Sequence, residues 1–111
     1  MVAPNGRVDS ALLDELVKRI RTTTQTSRIL LFGSAARDAM TADSDLDVLV
    51  VVPDGTSRRT ATQAIYRRLY GFPIATDIVV VTEGDVTQFG QTEGLMIRKA
   101  LQDGREIFRA A

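Results

Sequence analysis

The chain contains Gly33-Ser34 and, after ten intervening residues, Asp45-Leu46-Asp47. Alternate residues of an extended strand point to the same side. Asp45 and Asp47 therefore lie roughly 6–7 Å apart on one face, while Leu46 and Val48 take the other. A third carboxylate, Asp77, opens Asp77-Ile-Val-Val-Val81 with the same pattern of an acid followed by apolar residues. If the two segments are neighbouring strands in register, three carboxylates converge at one sheet edge. Like charges so placed repel, and one or two hard divalent cations remove that cost. With no His and no Cys in the chain, ligation falls to oxygen, which favours Mg²⁺, Mn²⁺ or Ca²⁺, and a site that leaves waters for a phosphate has the pattern of Mg²⁺. The lack of His also removes imidazole acid/base chemistry and a Ser-His-Asp triad.

Gly33-Ser34 asks for the opposite charge. The pair follows an apolar run and opens what reads as a helix, where unpaired N–H groups and the helix dipole favour an anion. Gly33 has no Cβ, so a phosphate can come close to the backbone. Ser34 can cap the helix and donate its hydroxyl to the same phosphate. An anion cradle beside a cation seat fits a metal–triphosphate complex, in which two ions clamp the attacking and leaving oxygens. Arg37 is a further candidate for holding phosphate, and Glu83 is a substitute for Asp77 as the third carboxylate. The plainer readings are an ordinary helix start after a strand and solvated carboxylates at strand ends. Asp38 and Asp43 read as surface charges.

These residues need elements to hold them. Residues 1–8 read as a loose arm and 9–111 as one domain. Asp9 or Ser10 caps a first helix whose Leu12, Leu13, Leu16, Val17 and Ile20 recur at helical spacing. Arg28–Phe32 is a short buried strand stopped at Gly33, and Ser34–Met40 has room for two helical turns. Leu46–Val52 is the strongest strand, ended by Pro53-Asp54-Gly55. A helix over 57–70 presents Ala61, Ala64, Ile65 and Leu69 inwards, before a third strand at Thr76–Val81. Thr82–Gly90 reads as a short helical turn at most. A last helix over 92–103 faces Leu95, Met96, Ala100 and Leu101 inwards, and Glu106–Phe108 adds a short strand. Helices alternating with strands make this α/β or α+β, a small mixed sheet with helices packed on it.

Composition sets the outer bounds. The 111 residues carry 14 basic and 14 acidic side chains, a formal charge of zero, which argues against gripping duplex nucleic acid through its backbone. Arg58-Arg59 and Arg67-Arg68 read first as a solvated helix face, and Tyr66, Tyr70 and Phe72 as cover for the core or for a partner. No signal pattern opens the chain and no apolar stretch approaches the ~20 residues that span a bilayer. The expectation is a cytoplasmic protein with no membrane contact.

Gly33-Ser34-x10-Asp45-x-Asp47, flanked by Leu-Phe-Gly-Ser-Ala-Ala-Arg and Ser-Asp-Leu-Asp-Val-Leu-Val, resembles the signature of the DNA polymerase β-like nucleotidyltransferase superfamily. The short length is similar to its minimal nucleotidyltransferase (MNT) branch, and the likeness is best over residues 28–82. The resemblance implies a polymerase β-like palm fold and transfer of a nucleoside monophosphate from an NTP, ATP above all. It places Gly33 and Ser34, with Arg37, on the triphosphate. Asp45, Asp47 and Asp77 fall on two Mg²⁺ ions, Asp77 beside the one that activates the acceptor hydroxyl. MNT proteins commonly pair as antitoxins with an all-helical HEPN-type toxin, and some modify a tyrosine of it with AMP. Two positions depart from the family pattern: Ala35 stands where a basic residue is common, and Asp38 where Gly is. A second copy of the chain or the helical partner would supply the surface that larger members build from another domain. Two further readings stay open: an antitoxin that neutralises its partner by occlusion without chemistry, and, ranked last, a small-molecule nucleotidyltransferase.

Overall fold

Asp9 starts the first helix, α1 (Ser10–Arg21), by accepting a hydrogen bond at 2.9 Å from the Ala11 N–H. In the computed structural model, which describes residues 6–41, 43–92 and 96–110, Leu13, Leu16 and Ile20 form its buried stripe. The helix ends where Thr22 and Thr23 donate their hydroxyls to the carbonyls of Arg19 and Ile20. Such local bonds compete with helix continuation.

Four strands follow among the described residues: β1 (Arg28–Phe32), β2 (Leu46–Val52), β3 (Thr76–Thr82) and β4 (Arg105–Arg109), in the order β3-β2-β1-β4. β2 runs antiparallel to β1 and parallel to β3, and β4 pairs antiparallel with β1. The expected small mixed sheet is therefore present. The parallel β2–β3 step requires a crossover, supplied by α2 (Arg58–Arg68). Ser57 caps α2 through its hydroxyl, and Ala61 and Ile65 are its buried residues.

β2 explains why its sequence is almost wholly apolar. Val48, Val50 and Val52 pack with Ile29, Leu31, Ile78 and Val80 beneath α1 and α2. Leu49 and Val51 pack with Leu30, Val81 and Ala100 on the opposite face. That face is covered by α3 (Glu83–Phe89) and α4 (Met96–Asp103), through Val86, Ile97 and Leu101. Fully burying side chains such as Leu16, Ile29 or Leu49 contributes ~1.5–3 kcal/mol each.

Several expectations are corrected. The helix expected over Ser34–Met40 is a single 3₁₀ turn, Gly33–Ala35. Left-handed backbone at Gly33 (φ 64°) and Asp38 (φ 51°) brackets it and stops propagation. Thr82–Gly90 holds two turns of α3, started by a capping box in which Thr82 and Asp85 each bond the other's backbone N–H. Gly84, inside that helix, lies where a Cβ would come 2.8 Å from Asp54 Oδ1. Its N–H donates to that same oxygen at 2.8 Å. Of the expected arm, residues 6–8 are held: Gly6 is buried and its carbonyl accepts from Met40 N–H at 3.1 Å. Residues 1–5 lie outside the described residues, as does Leu95. Met96, expected inside, is 42% exposed. No helix among the described residues is long and apolar enough to cross a membrane.

Candidate active site

At one end of the sheet β1 stops while β2 and β3 begin. Asp47 pairs with Phe32 across the antiparallel step and with Asp77 across the parallel step. The condition set by the sequence is met: the second and third carboxylates are cross-strand neighbours on the α3/α4 face. Asp45 lies one residue before β2 and is exposed, as is Asp77, while Asp47 is half-buried. Burial pushes the Asp47 carboxyl pKa up, and the negative charges of Asp77 and then Asp45 push it further. All three acids thus meet electrostatically at Asp47. They are not drawn into a cage, since among the described residues no three acidic side chains are gathered into a metal-holding group.

Gly33 closes the site from the β1 side. Its φ is 64°, and a Cβ built there would sit 2.5 Å from Asp47 Oδ2. Only glycine lets the backbone turn away from β1 hard against that carboxylate. An oxygen-only donor set under like-charge stress, with open backbone beside it, fits a hard divalent cation.

Ser34 lies here too, but not as a helix cap. The 3₁₀ turn has no side-chain cap, and the Ser34 hydroxyl donates to Met40 Sδ at 3.2 Å. Its carbonyl accepts from Arg37 and Ala39 N–H, so Ser34 ties the turn closed. Glu83 is excluded as a stand-in for Asp77. It follows the last residue of β3, six residues and about 20 Å along the strand from Asp77. Asp38 is a surface charge as expected, forming 3.6 Å ion pairs with Arg7 and Arg105.

A cleft of about 300 Å³ opens between this strand end and α4, lined by Phe32, Gly33, Arg37, Asp47, Met96, Lys99, Ala100 and Asp103. Arg37, the phosphate candidate, and Asp47 thus line one cleft. Lys99 and Asp103 come with it unannounced, because polar residues on an amphipathic helix look alike until the helix is docked. The paired arginines do not line this cleft: Arg58 binds Asp85 at 3.2 Å, and Arg68 reaches Thr22 Oγ1. Tyr66 proves structural, its hydroxyl accepting from Ile78 N–H at 2.9 Å. Tyr70 is 92% exposed.

The fold has solved counterparts. A Sulfolobus solfataricus protein provisionally assigned as a nucleotidyltransferase superposes with a TM-score of 0.60 at 20% identity, over 89% of this chain and 78% of that one. A toxin–antitoxin with AMP-PNP gives 0.64 at 17% identity, over 87% and 73%. A mutant of the toxin–antitoxin MntA–HpeT gives 0.63 at 15% identity with the same coverage. At these identities the likeness speaks for the fold. No curated protein sequence matches the chain. The family model of the nucleotidyltransferase domain matches residues 13–107, which takes in both halves of the site, and the chain belongs to that family.

Proposed function

We propose that this nucleotidyltransferase domain moves AMP from ATP onto a hydroxyl of a partner protein, as the antitoxin of an MNT–HEPN pair in the cytoplasm. The observation that carries the reading is the pairing of Asp47 with Asp77 directly beside Gly33. The toxin–antitoxin structures that share the fold, one of them with AMP-PNP, favour this partner and this nucleotide.

The residues divide the work as follows. Gly33 leaves its backbone open to the phosphates, and Arg37 orients them from the turn beyond. Asp45 and Asp47 would hold the two Mg²⁺ ions, Mn²⁺ being the alternative, with Asp77 completing the second position. Bound there, the ions would neutralise charge on the reacting phosphoryl group and acidify the acceptor hydroxyl. Asp77 lies on β3, the outer strand of the sheet, so an acceptor can approach it from the side without crossing the protein. Phe32 and Met96 give the cleft its apolar wall.

The test is transfer of labelled AMP to the helical protein that co-purifies from the native operon. Asp45→Asn with Asp47→Asn should abolish labelling and leave partner binding intact. Equal labelling by wild type and double variant would refute the catalytic reading. Full neutralisation of the partner by the double variant would assign the antitoxin action to occlusion instead.

A further inference from the structure

The cleft has a cationic side that the three carboxylates do not explain. α4 is pressed onto β1 at its C-terminal end: Ala100 is 1% exposed, and a Cβ on Gly104 would come 2.9 Å from the Leu31 carbonyl oxygen. That docking sets Lys99, the neighbour of Ala100, on the cleft wall, with Arg37 contributed by the turn after the 3₁₀ segment. Lys99 is exposed. Among the described residues it forms no ion pair, neither with Asp47 nor with Asp103 one turn on. A lysine free in a cleft with two carboxylates is available to an anion rather than engaged in holding the fold.

The cleft volume, about 300 Å³, is at the lower limit for a small-molecule site. It suits a chain of phosphates better than a whole nucleotide. Asp47, the half-buried carboxylate of the lining, is where the reacting phosphoryl group belongs in the function proposed above, and Lys99 is the exposed cation of the same lining. The phosphates beyond that group carry the extra negative charge, and they need cations farther along the wall.

We infer that Lys99, together with Arg37, grips the terminal phosphates of the nucleoside triphosphate and is the residue by which the site distinguishes a triphosphate from a monophosphate. This rests on the nucleotide-transfer reading. Lys99 is a binding residue for the leaving pyrophosphate portion and takes no proton in the reaction.

Calorimetric titration of the full chain with ATP, AMP and inorganic tripolyphosphate, in Mg²⁺, tests the assignment. Lys99→Gln should weaken ATP and tripolyphosphate roughly tenfold or more, the scale of one charge-assisted contact, and leave AMP unchanged. Lys99→Arg should restore most of the affinity. Lys18→Gln, an exposed lysine on α1, should bind as wild type does. Unchanged ATP binding by Lys99→Gln overturns the inference while the nucleotide-transfer reading stands. An equal loss for AMP and ATP overturns it too, as a structural effect. If wild type binds neither ATP nor tripolyphosphate, the functional reading falls and the inference with it.

Discussion

Replacing Gly33 by alanine asks two things of the protein at once, and a second glycine separates them. Gly33 and Gly55 both have left-handed backbone, φ 64° and 88°. An added Cβ at Gly55 meets nothing within 4 Å, whereas at Gly33 it meets Asp47 Oδ2 at 2.5 Å. Holding an L-residue in that conformation costs ~1–2 kcal/mol, so Gly55→Ala should lower stability by about that amount. Gly33→Ala should carry the same strain plus the displacement of a half-buried carboxylate. An off-rotamer shift of Asp47 adds ~0.5–1.5 kcal/mol, for a total of roughly 1.5–3.5 kcal/mol. At the scale for small domains that is a drop in Tm on the order of 10 °C. Denaturant unfolding of both variants measures the totals. Repeating Gly33→Ala in an Asp47→Ala background removes the contact, so there the cost should fall to the Gly55 value. Equal losses for Gly33→Ala in both backgrounds would show that Asp47 is not packed against the turn.

Three further outcomes follow from the geometry. Burial and two like charges raise the Asp47 pKa in the fold, so the native state holds that proton more tightly than the unfolded chain does. Asp47 therefore costs stability at neutral pH, and the cost vanishes as pH falls below the unfolded carboxylate range. Asp47→Asn should then be more stable than wild type at pH 7 in EDTA, with the curves meeting in acid, and a constant difference across pH would disprove the cause. Tyr66→Phe removes the partner of the Ile78 amide on the free edge of β3. It should cost ~0.5–1.5 kcal/mol and speed hydrogen exchange at Ile78 ahead of β2, which exchange spectra read directly. Asp38→Gly relieves φ 51° but forfeits ion pairs at 3.6 Å to Arg7 and Arg105. Exposed pairs of that length are worth ~0–1 kcal/mol, so Tm should hold or rise, and a marked fall would mean the pairs outweigh the strain.

The sequence was most legible where a residue's neighbours along the chain decide its place. Leu46–Val52 could only be a strand buried on both faces, and the α1 stripe of Leu13, Leu16 and Ile20 needed only a period of 3.6. Asp45 and Asp47 could be placed on one face by alternation alone. The register of Asp77 against Asp47 was a condition that only the sheet order could satisfy. Two local signals misled. Thr82–Gly90 read as one turn at most, since part of what holds α3, the bond from Gly84 N–H to Asp54, comes from 30 residues away, while Ser34 suggested a cap whose hydroxyl instead goes to Met40. Lys99 was illegible for a third reason: its place depends on how α4 docks against β1, which Ala100 and Gly104 decide.

β2 is paired with β3 along its whole length and with β1 over Asp47–Val51, is covered on both faces, and carries Asp47 as its one charged residue. Opening that strand means unzipping two ladders and both apolar layers together, so its amides should exchange only through global unfolding. β3 and β4 are free to fray at the edges without moving Asp47. The outer strands can therefore flex while Asp47 keeps its coordinates, so Asp77, carried on β3, closes on or withdraws from a fixed carboxylate, and the strand at the rim sets when the pair is complete.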